Sequence, residues 1–507
     1  MISVDGASLT IEDVVAVARR GEPVELPKKT REGLLDGRQK IVELLDTEET
    51  VYGVNTGFGE LSDVRISAGE IGELQRNLIR SHACGVGEDL PEEVVRAMML
   101  LRANSLAKGM SGVRPEIVEK LLAALNRGFT PVVPSQGSVG ASGDLAPLAH
   151  IALAFMGEGS AFFNGRRMPA MEALERAEIS PVVYEAKEGL ALINGTQLMT
   201  ALGCLVWHDA VSLLQHAQVA GAMSLEALKG TDQAFREEIH RARPHPGQVS
   251  VAANLWQLTR DSDIIASHRD CSKVQDAYTL RCMPQAMGAV FDTLAHVRRV
   301  LSVEINAVTD NPLVFDDVIS GGNFHGDPVA VALDVLAIVM TKLGSMAERR
   351  VARLVDSHLS GLPHFLTRHA GLHSGLMMPQ YVAASLVNEN KTLAHPASVD
   401  SIPTSANKED YQSMGATAAR HARDIVVNTR RVIAIELMTA SQALEFRDEQ
   451  PSPATAAAHT AIREKVPAVE DDRPLHDDIE TITTLIMEKD IMRAVEEHTG
   501  ALQTPTG

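Results

Sequence analysis

The sequence is short of aromatic residues, with 11 Phe, 5 Tyr and 2 Trp in 507 positions, although 45% of its residues are hydrophobic. So large an apolar fraction must rest on Ala, Leu, Val, Ile and 19 Met, the residues of packed helices, and a β-sandwich or barrel is not expected. Basic residues are a minority, 47 Lys and Arg against 66 Asp and Glu for a net charge of −19. That balance argues against a nucleic-acid partner, because neutralising phosphates needs a basic surface. The four cysteines, Cys84, Cys204, Cys271 and Cys282, form no CxxC pair, so neither a zinc site nor a disulfide framework is indicated and a reducing cytoplasm is expected. Long apolar runs are missing as well: the longest, Val329 to Met340, is broken by Asp334 and is too short to span a bilayer. The opening MISVDGASLTIEDV has acidic residues where a signal peptide would be basic.

What the sequence does have is helical pattern. Met287, Val290, Phe291, Leu294, Val297 and Leu301 recur at three-four spacing, as do Leu333, Leu336, Met340 and Leu343, and both sets read as core stripes. Such stripes, with few aromatics to fill volume, suggest a bundle that buries its faces by oligomerising as well as by folding. Up to about residue 200 the chain is instead punctuated by Gly and Pro, in VYGVNTGFGE, PVVPSQGSVGASGD and MGEGSAFFNGRR, which read as loops between short helices. Ser67 and Glu70 suggest a capping box, followed by a helix with Ile71, Leu74, Leu78 and Ile79 on one face and Ser81 and His82 at its far end. No repeat and no long linker divides the chain. The expected fold is all-α, with a loop-rich head over residues 1–200 and a long-helix bundle and tail over residues 201–507. In the tail, the acidic cluster EDDRPLHDDIE reads as a solvated face.

Chemistry concentrates in GSVGASGDLAPLAH, Gly137 to His150. Gly137, Gly140 and Gly143 allow sharp bends, and Asp144 with Pro147 suits the start of a helix, so a group at Ser142 would lie near the positive end of a helix dipole. A glycine-rich loop that merely caps a helix has the same features. A serine hydrolase needs GxSxG, but Gln136 and Asp144 take the place of one glycine around Ser138 and Ser142 respectively. The phosphate-binding GxxxxGK[ST] and the metal-binding HExxH are absent. A third use remains. If the loop bends tightly, the Gly143 amide nitrogen can attack the Ala141 carbonyl carbon, and loss of two waters leaves a ring whose exocyclic methylene derives from Ser142. The product, a methylidene-imidazolone, is an electrophile that no unmodified side chain provides.

That loop, together with YGVNTGFG, EGLALINGTQ, VQDAYTLRCMPQ, DNPLVF, GGNFHGDPVA and TSANKEDYQSMG in order between about Tyr52 and Arg447, resembles the aromatic amino acid ammonia-lyases, and within them the histidine-specific branch. The resemblance implies a helical trunk of the fumarase and ammonia-lyase type and a homotetramer with shared active sites. It also implies the autocatalytic ring from Ala141, Ser142 and Gly143 with no metal or diffusible cofactor, and conversion of L-histidine to trans-urocanate and ammonia. Tyr52 matches the family's base, a role that requires donors or positive charge to lower a phenol pKa of about 10; on its own it reads as a packed loop tyrosine. Arg281 would capture the substrate carboxylate through its planar guanidinium, with Tyr278 as a catalytic partner and Gln275 in support. Asn194 would hold the modified loop and the amino acid, and Phe324 would pack beside the electrophile.

Substrate choice is expected to rest on His82 and Glu436. The pair Ser81-His82 resembles the histidine-specific members, where phenylalanine-specific ones carry Phe-Leu. Glu436 lies in the apolar run VIAIELM, where a carboxylate needs a partner: a substrate imidazole N–H, or a cation on another helix. One feature departs from the histidine pattern: Tyr411-Gln412 stands where those relatives carry His-Val, and side chains lining the pocket there would admit another aromatic substrate. Tyrosine or phenylalanine ammonia-lyases and aminomutases are the neighbouring alternatives. A non-catalytic helical scaffold is the alternative of another class. The GSSxMPxK loop of the fumarase and aspartase group is absent.

Overall fold

A computed structural model of the chain describes residues 1–47, 50–51, 53–57, 66–269, 271 and 273–505, with Ala68 described by its backbone alone. The described residues are mostly helical and fall into two compact units. The first comprises residues 1–208, 299–334 and 396–420, and the second residues 209–298, 335–395 and 421–507. Four long helices, Gln197–Ala227, Met283–Glu304, Asp327–Val355 and Gly415–Leu444, contribute residues to both.

Short helices with well-defined ends build the first unit. Helix Ile11–Arg20 begins at a capping box in which the Asp13 N–H donates to Thr10 Oγ1 and the Thr10 N–H to Asp13 Oδ2, and it ends at Gly21 in the left-handed conformation. Helix Glu92–Ala107 runs through the middle of this unit, buried along nearly its whole length. The expected Ser67 capping box is replaced by a 3-10 turn, Ala68–Glu70, in which Ser67 Oγ bonds to the Glu70 carboxylate and no backbone N–H is capped. Helix Ile71–His82 follows, burying Ile71, Leu78 and Ile79 and carrying His82 as its last residue.

Small sheets interrupt the helices. MGEGSAFFNGRR, read as a loop, contains the hairpin Ser160–Phe163 and Arg166–Pro169, to which Phe129–Pro131 adds a third antiparallel strand. Asn164 and Gly165 at its tip both have positive φ, the geometry that an Asn-Gly turn favours. A second pair, Val86–Asp89 with Pro134–Gln136, is antiparallel and leads directly into the glycine-rich loop.

In the second unit the regular elements among the described residues are all helices. Met287, Val290, Phe291, Leu294 and Val297 are buried on helix Met283–Glu304, as the stripe predicts. The tail forms three helices, Pro453–Arg463, His476–Glu488 and Asp490–Thr499, the first packed on the last. Its acidic cluster is more than a solvated face, since both Asp472 carboxylate oxygens accept backbone N–H groups, from Ser374 at 2.7 Å and Gly375 at 2.9 Å.

Helices Gln197–Ala227 and Asp327–Val355 are long and apolar enough to cross a membrane by length and composition, with 83% and 56% of their most apolar stretches buried inside the protein. The run Val329 to Met340 lies within the longer helical context of the second. Its Asp334 is buried and accepts the Ser398 N–H at 2.8 Å.

Candidate active site

The glycine-rich loop leaves strand Pro134–Gln136 and enters helix Leu145–Phe155. Gly140 and Gly143 take left-handed backbone conformations, φ 68° and 73°. Gly143 lies against Gly195, where any Cβ would overlap the Gly195 backbone, so this position requires glycine for space as well as for φ. The Asp144 N–H donates to the Gly195 carbonyl at 2.7 Å, and Asn194 Nδ2 donates to the Ser142 carbonyl at 2.7 Å. Behind them the buried Arg102 donates through Nη1 to the Asn194 carbonyl at 2.7 Å, and burial lowers its guanidinium pKa to about 10.

Asp144 stands at the start of its own helix, as expected, but its side chain does not cap that helix. It accepts instead from Ser138 Oγ (2.7 Å) and from the backbone of Leu198 (2.9 Å) and Met199 (3.1 Å), at the start of helix Gln197–Ala227. Its carboxylate thus ties the loop to a second helix. Complete burial raises its pKa to about 6 despite these donors.

The segment before helix Gly415–Leu444 closes over the loop. Ser413 Oγ donates to the Gly140 carbonyl at 2.9 Å and the Met414 N–H to the Val139 carbonyl at 2.9 Å. Glu409 then reaches the serine: Ser142 Oγ donates to Glu409 Oε1 at 2.9 Å, while Thr404 Oγ1 donates to Oε2 at 3.0 Å. Glu409 was not singled out in the sequence, although its motif KEDYQSMG was; its partner lies 267 positions away. Gln412, buried in the same segment, donates through Nε2 to Thr404 Oγ1 (3.1 Å) and to the Glu409 carbonyl (2.7 Å). The neighbouring Tyr411 is exposed and stacks on His325, with ring centroids 5.6 Å apart.

His82 is half-buried at its helix end. Its Nδ1 lies 2.9 Å from the Leu78 carbonyl, which only accepts, so Nδ1 carries the proton and Nε2 keeps its lone pair in the neutral ring. Burial lowers the imidazole pKa, opposed by the Leu78 bond and by the charge of Glu409. Phe324 is half-buried two residues before Gly326, whose N–H points at the Gly140 carbonyl at 3.5 Å. Ala141, Ser142, Gly143, His82, Asn194 and Phe324 all belong to the first unit, whereas Tyr52 lies outside the described residues.

The other expected residues belong to the second unit. Tyr278 opens a four-residue helix that ends at Arg281, and Gln275 precedes it in coil. The Arg281 guanidinium lies over the Tyr278 ring, 4.5 Å from its centre, and its Nε donates to the Asp276 carbonyl at 3.1 Å. Gln275 and Tyr278 are exposed in the single chain. Glu436 is fully buried, and its partner is the cation on another helix: Arg350 Nε and Nη2 bond to Oε1 and Oε2 at 2.5 and 2.8 Å, and Ser224 Oγ donates to Oε1 at 2.8 Å. Both carboxylate oxygens are therefore engaged without a substrate.

Similarity to known proteins extends along nearly the whole chain. A family model described as aromatic amino acid lyase matches residues 9–464. The histidine ammonia-lyase of Symbiobacterium thermophilum is 55% identical over 502 residues, covering 98% of this chain and 99% of that protein. Among solved structures, tyrosine aminomutase from Streptomyces globisporus superposes with a TM-score of 0.95 at 40% identity, over 99% of this chain and 100% of that one. Histidine ammonia-lyase from Trypanosoma cruzi superposes at 0.92 with 41% identity, over 98% and 95%.

Proposed function

The chain belongs to the aromatic amino acid lyase family, and from that premise we propose that it is a histidine ammonia-lyase, a carbon-nitrogen lyase that removes the α-amine and a β-proton of L-histidine to give trans-urocanate and ammonia. The observation that carries the reading is the clasped Ala141-Ser142-Gly143 loop, with Asn194 on the Ser142 carbonyl and Glu409 on the Ser142 hydroxyl.

These residues fit a methylidene-imidazolone closed from Ala141, Ser142 and Gly143. Position 143 has no room for a side chain, and Asn194 Oδ1 is buried with no hydrogen-bond partner among the described residues, an acceptor to spare beside the loop. When formed, the ring supplies an electrophile that takes the substrate amine covalently and so makes a poor leaving group leave. Loss of the Ser142 hydroxyl as water needs a proton at Oγ, and Glu409 is placed to exchange one there. The same carboxyl group then lies where the departing amine needs a proton.

His82 Nε2, a lone-pair acceptor in a ring whose pKa burial has lowered, suits the N–H of a substrate imidazole. Phe324 packs beside the electrophile. Arg281 pairs with the substrate carboxylate, supported by Gln275, and Tyr278 and Tyr52 serve proton transfer. Gln275 and Tyr278 are solvent-exposed in the single chain, which suits residues offered to a neighbouring subunit's electrophile in a homotetramer. No metal is proposed; among the described residues no three His, Cys, Asp or Glu side chains cluster to hold one. Four free cysteines suit a cytoplasmic enzyme.

The test is a substrate panel. The purified protein is incubated separately with histidine, tyrosine and phenylalanine, and ammonia and the near-ultraviolet absorbance of each acrylate are followed. Fastest release from histidine, with urocanate as product, supports the reading. Faster turnover of tyrosine overturns the substrate, and a β-amino acid product assigns a mutase.

A further inference from the structure

We propose that Gln412 is a positioning residue for the lyase reaction, holding the Glu409 carboxyl group over the atom that Ser142 supplies. The inference rests on the reading above and deepens it. Its basis is a chain of four contacts. Gln412 Nε2 donates both to Thr404 Oγ1 (3.1 Å) and to the Glu409 backbone carbonyl (2.7 Å), Thr404 Oγ1 donates to Glu409 Oε2 (3.0 Å), and Glu409 Oε1 receives Ser142 Oγ (2.9 Å). The Gln412 N–H donates in turn to Ser401 Oγ at 3.0 Å, which fixes the amide's own backbone.

The amide's orientation follows from its neighbours. A flip would set its oxygen against the Glu409 carbonyl oxygen, so the two N–H donors must face this way. The cost is visible at the other end. Gln412 is 1% exposed, and its Oε1 is buried with no hydrogen-bond partner among the described residues. Stranding an acceptor costs on the order of 1–3 kcal/mol, which an apolar side chain of similar volume would avoid. A residue present only for packing would be apolar. In this chain both donors serve the Thr404 to Glu409 turn, which carries the only side chain seen to reach Ser142 Oγ among the described contacts.

This placement also accounts for the departure at Tyr411-Gln412. Gln412 uses its two donors inside the turn, and Tyr411 stacks on His325. The residue therefore acts on rate through Glu409 rather than on the choice of ring.

The experiment uses full-length enzyme carrying Gln412→Met, Thr404→Val, Thr404→Ser, or Gln412→Met with Thr404→Val. Intact mass reports ring formation, thermal midpoint reports folding, and kcat and KM are measured on whichever of histidine, tyrosine or phenylalanine the wild type turns over fastest. Displacing a reacting group by a fraction of an ångström to 1 Å predicts a kcat loss of roughly 10- to 100-fold for Gln412→Met, with KM, mass and midpoint close to wild type. Thr404→Val should lose a similar factor, Thr404→Ser should keep the wild-type rate, and the double variant should be no slower than the slower single variant, because the two side chains act through one contact. Should Gln412→Met misfold, the two Thr404 variants carry the same test at a half-buried position. Unchanged kcat, a loss confined to KM, or losses that multiply in the double variant overturn the proposal. A wild type that prefers tyrosine refutes the histidine reading and leaves the variant-to-wild-type ratio to decide this one; a wild type that turns over none of the three overturns both.

Discussion

Two glutamates, one in each unit, receive hydroxyl hydrogen bonds, yet their surroundings are opposite. Glu409 in the first unit is half-buried and held by Ser142, Thr404 and the turn it sits in, with no cation among its hydrogen-bonding partners in the described residues. Glu436 in the second unit is fully buried and locked in a two-point bond to an equally buried Arg350, with Ser224 as third partner. A carboxylate fastened to guanidinium is a structural anchor, because releasing either member strands a charge in low dielectric. A carboxyl group held by hydroxyls alone can pass a proton to the group it touches. On the reading proposed above, the difference separates a residue placed for chemistry from one that ties helices together, although Glu436, set in an apolar run, is the more conspicuous of the two by sequence.

The sharpest way to break that comparison is Glu409→Gln, which keeps the shape and removes the exchangeable proton. Ammonia release should fall by roughly 10²- to 10⁴-fold with the thermal midpoint little changed, as measured by steady-state kinetics and a melting curve on the same sample. Glu436→Gln should do the reverse in kind: leaving Arg350 buried and half-paired should cost about 3–5 kcal/mol in a denaturant titration. Equal losses of stability in the two variants would erase the distinction.

A third glutamate sharpens the comparison with a smaller effect. Glu226 in the second unit is buried among donors, accepting from the Ser452 N–H (2.8 Å), Thr455 Oγ1 and Ser262, and burial pushes its pKa up to about 7. A folded-state value above the unfolded one means that the folded protein takes up the proton first, so this stabilisation is full below the unfolded pKa and is lost as pH rises through about 7. Glu226→Gln carries no such titration. Its midpoint relative to wild type should therefore be higher at about pH 8 than at about pH 5. A difference independent of pH would show that the hydroxyls alone keep Glu226 charged.

Features that depend on a few adjacent residues were legible in the sequence. The bends at Gly140 and Gly143, the helix that ends at His82 and the buried stripe of Met283–Glu304 all follow from local spacing and glycine's conformational freedom. Features that depend on distant partners were not. Asp144 suits a cap for its own helix, and only the fold brings Leu198 and Met199 to its carboxylate instead. Glu409 meets Ser142 across 267 positions, and nothing in its local pattern points there; the apolar run around Glu436 did signal a need for a partner, a cation on another helix among the options, but not that it is Arg350, 86 positions away. The hairpin at Asn164-Gly165 is a different case. Its turn signal was present, but the glycines around it read as loop.

The central claim is that Ala141, Ser142 and Gly143 close into the electrophile on which ammonia release depends, and intact mass with activity on the same preparation tests it most directly. The wild type should weigh two waters less than its sequence and release ammonia from histidine, while Ser142→Ala should show its full sequence mass and release none. A full-mass wild type that still releases ammonia would contradict the account.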